Sequence, residues 1–284
     1  MNKSIETLVE DIHEVLLNGS ENVTTELCDE YGHKFAELLK SRFGAPREVK
    51  RGTLRMSNIG SPCERKLYYS VNTPEDGEEL PASTIFKFSF GDTIELLLLF
   101  LSQAAGHSVE GTQDTQEIEG IKGHRDAVID GVIIDVKSAS TYSYQKFASG
   151  TLEQGNDAFG YIDQLQSYLY AGQSDPKVID KSRAGFLVAD KTLGHICLDI
   201  HEKKSIPYDL IYKHKKEMVA APNEPPRGFT AVPDGKSGNE KLGVNCSYCD
   251  FKDKCWPGLQ TYIYSTGPRY LTKVVREPKV EQHG

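Results

Sequence analysis

The chain has 284 residues, with 33 Lys and Arg against 41 Asp and Glu, for a formal net charge of −8 at pH 7. Hydrophobic residues make up 38% and charged residues 26%, a balance that supports a sizeable core and excludes wholesale disorder. The densest apolar run, Ile94 to Leu101, carries Glu95 and is too short to cross a bilayer, and the acidic, amphipathic N-terminus does not read as a signal peptide.

A soluble cytoplasmic protein with no membrane partner is therefore expected. Apolar positions at helical spacing (Ile5, Leu8, Val9, Ile12, Val15, Leu16) predict a helix over 3–18, and further helices are expected over 24–41 and 64–71. Residues 73–81 read as an acidic loop. A long helix follows over 83–105, ended by Gly106. The period then falls towards two. Segments 107–118, 124–130 and 132–138 read as consecutive strands, with Asp130-Gly131 as a hairpin turn. Helices are expected near 142–149, 158–172 and 207–220, strands at 183–190 and 194–200, and a loop over 221–245. This order implies an α/β (α+β) fold around a mixed sheet. Three parts follow: a helical arm over 1–45, a core over 46–257 and a tail over 258–284.

Charge is unevenly spread. Residues 40–70 hold 8 basic and 2 acidic side chains, net +6, between acidic stretches at 1–39 and 71–130. The bulk charge argues against a nucleic-acid partner, since phosphate binding needs clustered Lys and Arg. The basic segment reads either as a solvated surface stretch or as a phosphate-binding edge.

The segment GHRDAVIDGVIIDVKSAS (123–140) is the most informative. Alternate residues of a strand share a face. Ile133, Asp135 and Lys137 therefore lie on one side, with Val132, Ile134 and Val136 on the other. His124 and Asp126 share a face of the preceding strand, so Asp126 can reach the same spot. Carboxylates from neighbouring strands make a hard-oxygen pocket suited to Mg²⁺ or Mn²⁺, and a lysine beside them can orient an attacking water or balance developing charge. The alternative is an ordinary Asp–Lys pair on a surface hairpin. Glu95 interrupts an apolar helix, where a buried carboxylate needs a partner. Gln164 and Tyr168 lie four apart on one helix face.

In order, Gly91…Glu95, Asp126, Asp135-Val136-Lys137 and Gln164…Tyr168 resemble the motifs of the RecB-like branch of the PD-(D/E)xK nucleases. The resemblance spans roughly 50–257. It implies a restriction-endonuclease-like core with a central mixed sheet flanked by helices. It also implies Glu95, Asp126 and Asp135 as metal ligands with the Val136 carbonyl, Lys137 as the catalytic lysine, and Gln164 and Tyr168 as DNA-positioning residues. Many relatives carry His where this chain has Glu95.

Six cysteines occur, and Cys246, Cys249 and Cys255 form C-x₂-C-x₅-C. This compact spacing reads as thiolate ligation of a metal, with Cys63 the best candidate for a fourth ligand; spacing alone favours structural zinc. Beside the nuclease motifs, one cysteine before the core and three after it resemble the iron–sulfur subset of RecB-like nucleases. That subset includes AddB-type nuclease domains and CRISPR-associated RecB-like exonucleases. The implied cofactor is a 4Fe–4S cluster binding the N- and C-terminal segments of the core. Cys28 and Cys197 fit no ligand spacing and read as buried thiols. If the cluster docks the basic segment near the metal site, Arg65 and Lys66, with Arg47, Lys50, Arg51 and Arg55 upstream, can steer DNA. Tyr68, Tyr69, Tyr142, Tyr144 and Phe147 read either as stacking partners for bases or as core.

The resemblance implies an Mg²⁺- or Mn²⁺-dependent exonuclease on single-stranded or frayed DNA ends, in phage recombination or replication, in repair or in CRISPR adaptation. No Walker A motif is present, so a helicase, recombination or CRISPR-integration partner would be a separate chain. The alternatives are a catalytically silent module that binds DNA ends or a partner on the same fold, and a zinc protein unrelated to nucleases.

Overall fold

A computed structural model describes residues 3–45 and 52–283. The N-terminal half of the chain is helical: α1 (Leu8–Asn18), α2 (Thr25–Phe43), α3 (Met56–Ile59), α4 (Glu64–Asn72) and the long α5 (Ala82–Ala104). Strands β1 (Val109–Glu110), β2 (Thr115–Ile118), β3 (Ile121–His124), β4 (Ala127–Ile129) and β5 (Val132–Ala139) follow. Then come α6 (Thr141–Ala148), α7 (Tyr161–Ala171), β6 (Arg183–Asp190), β7 (Ile196–Glu202) and α8 (Tyr208–Ala220). The C-terminal part holds β8 (Val232–Pro233), β9 (Glu240–Lys241), α9 (Val244–Ser247), α10 (Lys252–Cys255), β10 (Gln260–Tyr264), β11 (Gly267–Lys273) and β12 (Gln282–His283).

The central sheet has the order β1-β4-β5-β6-β7. Only β5 and β6 run parallel, joined through α6 and α7, while the other pairs are antiparallel. The β4–β5 hairpin closes on Asp130 and Gly131 at φ 49° and 80°, the two left-handed positions that make Asp-Gly a hairpin turn. Strand β5 is buried along both faces, as a central strand between helical layers should be. Val132, Ile134 and Val136 enter a core shared with α1, α2 and α5. Ile133 enters the opposite core with Tyr168, Leu165 and Tyr212 of α7 and α8. The strand's parity thus turns Asp135 and Lys137 towards α7.

Several expectations change. The strand expected over 107–118 is broken at 111–114, where Gly111 and Gln113 take positive φ. Asp126 lies in the bend between β3 and β4 rather than within a strand. The 221–245 loop holds β8 and β9, and residues 258–284 are not a plain tail: β10, β11 and β12 join them in a second antiparallel sheet of order β12-β10-β11-β9-β8. Its core side chains, Tyr262 and Leu271, are fully buried. Cys28, expected to be buried, is exposed, because α2 buries only Tyr31. Among the described residues, no helix is long and apolar enough to cross a membrane.

Candidate functional site

Three acidic side chains and a lysine meet beside the first half of β5. Asp135 is 3% exposed, and its Oδ1 accepts a charged hydrogen bond from Lys137 Nζ at 2.6 Å. Its Oδ2 is buried with no hydrogen-bond partner among the described residues. Asp126 reaches in from the β3–β4 bend, where its Oδ2 accepts from the Val136 backbone N–H at 2.7 Å. Glu95 comes from α5, half-buried, and Gln113 Nε2 donates to its Oε1 at 2.7 Å. Gly91, one turn before Glu95, is not held by crowding: a Cβ there would lie 3.6 Å from Ser138 Oγ, an ordinary contact.

Burial raises the Glu95 carboxyl above its ordinary range; the Gln113 amide opposes this, and the negative charges of Asp135 and Asp92 reinforce it. Asp126 is pushed well up by burial and then by Asp135 and Glu95. For Lys137, burial works against the ammonium, but Asp135 and then Asp126 outweigh it and hold the amine above the usual lysine range. The site is therefore a crowd of like charges in a dry setting, with an orphaned carboxylate oxygen at its centre. That donor set fits a hard divalent cation, whose charge would relieve the crowding. Among the described residues, no three His, Cys, Asp or Glu side chains are drawn tightly enough to cage an ion as they stand, and Lys137 takes up one face of Asp135.

Helix α7 forms the site's wall. Tyr161 lies with its ring 5.1 Å from Lys137 Nζ. Burial and then Asp135 raise the Tyr168 hydroxyl to about 12, and the Gln164 amide opposes the shift. Tyr168 is 2% exposed, so its ring lies inside the fold behind the site rather than on an open face. Gly123 of β3 leaves room for it, since a Cβ there would sit 3.0 Å from Tyr168 Oη and 2.6 Å from Met56 Cβ. The helix start is held by Asp157. Its Oδ1 accepts from the backbone N–H groups of Phe159, Gly160 and Tyr161, and its Oδ2 from that of Ile162. Gln113, Tyr161 and Asp157 escape sequence reasoning. Only Tyr161 left a signal there, sharing a face with Gln164 and Tyr168 at i, i+3 and i+7.

The four cysteines meet elsewhere. Cys63, Cys246, Cys249 and Cys255 line one cavity with Lys66, Tyr69, Arg227, Phe251 and Trp256. Burial raises the Cys249 thiol to about 11 and also lifts Cys246, and the neighbouring cysteines reinforce both shifts. Gly228 lies against this cradle, where a Cβ would be 3.1 Å from Cys63 Sγ. Four thiols share one pocket with Lys66 and Arg227 close enough to offset thiolate charge, a donor set whose chemistry suits a soft metal group, while as they stand no three of them are drawn together closely enough to hold one. The walls are pinned independently: Arg227 donates to the Cys255 carbonyl at 2.7 and 2.9 Å, Lys254 pairs with Asp76, and Tyr69 packs on Phe251.

The basic segment is less free than its sequence implies. Arg65 is committed to the 224–228 loop, donating to the Pro225 carbonyl at 2.6 Å and pairing with Glu224. Its guanidinium is thus a structural clamp, not an open phosphate contact. Lys66 faces the cysteine cavity. Arg55 is exposed at the start of α3, and Arg47, Lys50 and Arg51 lie outside the described residues. Tyr69, Tyr144 and Phe147 are core residues and Tyr68 is half-buried, which leaves Tyr142, 76% exposed, as the open ring of that set.

No protein-family model and no curated protein matches the chain. Among solved structures, the protein SSO0001 superposes with a TM-score of 0.43 at 16% identity, over 78% of this chain and 96% of its own. A phage-related exonuclease from Haemophilus somnus 129PT superposes with a TM-score of 0.35 at 16% identity, over 61% of this chain and 92% of its own. Both scores lie below 0.5, so the chemistry has to come from this chain's own residues.

Proposed function

We propose that the chain is a metal-dependent DNA nuclease, acting by phosphodiester hydrolysis on single-stranded or frayed ends and braced by a 4Fe–4S cluster. The observation that carries this is the convergence of Glu95, Asp126 and Asp135 on Lys137, with Asp135 Oδ2 buried and unpartnered. An acidic crowd this costly to bury has no evident value for stability alone. Glu95, Asp126, Asp135 and the Val136 carbonyl would hold Mg²⁺ or Mn²⁺, which supplies a Lewis acid for the scissile phosphate and a more acidic water. Lys137 is fixed by its ion pair and by the Tyr161 ring, so its ammonium stands ready to stabilise charge that develops on the phosphate oxygens. Gln113 keeps Glu95 turned into the site.

Labelled single- and double-stranded DNA incubated with Mn²⁺ tests the assignment. Lys137→Ala is expected to lower the cleavage rate about 100-fold or more while still folding, at a lower melting temperature because Asp135 loses its ion-pair partner. Undiminished cleavage by that variant would sink it. Iron and labile sulfide measured on anaerobically purified protein test the cluster: about four of each per chain are expected, and a colourless, zinc-loaded protein removes it.

A further inference from the structure

Beyond the Lys137 site, two large rings stand open to solvent on well-anchored backbone. Phe159 is 51% exposed and Tyr248 is 69% exposed. They come from segments far apart in sequence, the turn before α7 and the C-x₂-C knuckle, yet their ring centroids are 6.1 Å apart at 66°. Phe159 also packs on Tyr161, with centroids 5.6 Å apart at 37°. Tyr161 in turn carries Lys137 Nζ over its ring at 5.1 Å. A continuous line of rings thus runs from the lysine of the acidic site to the cysteine knuckle.

This line is held in place before any ligand arrives. The Phe159, Gly160, Tyr161 and Ile162 N–H groups all donate to the Asp157 carboxylate. Gly160 takes φ 76°, and a Cβ on it would fall 2.1 Å from the Gly60 carbonyl oxygen, so this close approach of the two backbones requires glycine. On the other side, Asn245 Nδ2 donates to the Ala158 carbonyl at 3.4 Å and ties the knuckle to this turn. Exposed aromatic rings on rigid backbone lose little entropy on binding a planar partner. Because every base has a π-face, such rings hold an unpaired strand regardless of sequence. The planes of Phe159 and Tyr248 meet at 66°, so a base stacked flat on one ring approaches the edge of the other.

We propose, on the premise of the nuclease reading above, that Phe159 and Tyr248 form a stacking platform that receives unpaired bases of a single DNA strand beside Lys137. Phosphates of that strand then run towards the acidic site while its bases rest on the rings.

The test uses the full chain and single-stranded oligonucleotides carrying 2-aminopurine at successive positions, with Ca²⁺ replacing Mn²⁺ during binding. Stacking quenches this base. Quenching confined to one or two adjacent positions is expected for the parent protein. Phe159→Ala and Tyr248→Ala should each lose it and weaken single-strand binding about tenfold, while Phe159→Trp retains both. Both positions are exposed, so melting should not change. If either alanine variant binds and quenches like the parent, or Phe159→Leu restores both, stacking on these rings is ruled out. Binding of a partner protein, with no quenching by any strand, also overturns it. Cleavage in Mn²⁺ is scored separately. A parent protein that quenches but never cuts keeps the platform and loses the nuclease. Lys137-dependent cutting with indifferent ring variants keeps the nuclease and loses the platform.

Discussion

Asp135 and Lys137 are two residues apart on a strand that is otherwise apolar save Ser138, and this parity alone brings both to the α7 side of the sheet. That much of the site was legible, because a period of two needs no knowledge of the rest of the chain. Gln113 was not. It lies in a turn at φ 57°, 18 residues from Glu95, and only the folded β1–β2 connection brings it there. We expect Gln113→Ala to lower cleavage about tenfold through a higher metal requirement, with full activity recovered at raised Mn²⁺; an unchanged Mn²⁺ titration would show that Glu95 orients itself. Glycines offer a paired prediction. Gly91→Ala meets only Ser138 Oγ at 3.6 Å and removes a helix-interior glycine, so stability should hold or rise by up to about 1 kcal/mol. Gly123→Ala drives a Cβ into Met56 and Tyr168 and should cost about 1–3 kcal/mol, read as a lower urea midpoint at constant slope.

Elements with strong periodicity came through from sequence almost to the residue. The helix expected over 83–105 is α5, and strand 183–190 is β6. The second sheet did not, because β8, β9 and β12 have two residues each and owe their existence to partners far along the chain. Among the helices, α7 depends most on one side chain. Asp157 accepts from the first two N–H groups of the helix, Tyr161 and Ile162, and from Phe159 and Gly160 just before it. Asp157→Ala should cost about 1–2 kcal/mol and disturb Tyr161 with it, whereas an unaltered unfolding midpoint would show that packing alone holds the helix. On β7, His201 is flanked by Glu153 at 2.8 Å and Asp199 at 3.0 Å. Burial lowers its pKa, but the two carboxylates win and leave it raised. A raised folded value stabilises fully below the unfolded histidine pKa, about 6.5, and that contribution fades as pH climbs through the folded value. The parent protein should therefore lose more melting temperature than His201→Gln between about pH 5.5 and about pH 8.5; parallel curves would contradict the raised value.

At the scale of the whole molecule, the net charge of −8 is a poor guide to partners because it does not say which charged groups are already engaged in internal pairs. Glu6 and Asp180 both engage Arg183, Asp11 engages Lys3 and His107, and Asp92 engages Arg42. The acidic arm is thereby pinned to the core. The cysteine cavity does the complementary task at the other end. It joins Cys63, ahead of α4, to a knuckle that follows the whole central sheet, so a metal group held there closes a loop over nearly the entire core. Restraining so long a loop restricts the unfolded chain strongly. If the four thiols act as one staple, Cys63→Ser and Cys246→Ser should each cost about 2–5 kcal/mol, and the double variant should cost no more than the worse single one, within about 0.5 kcal/mol. Denaturant midpoints of anaerobically purified proteins measure this directly. Fully additive losses would mean that each cysteine contributes only its own packing, and the cavity between them would then be an ordinary gap in the wall beside α4.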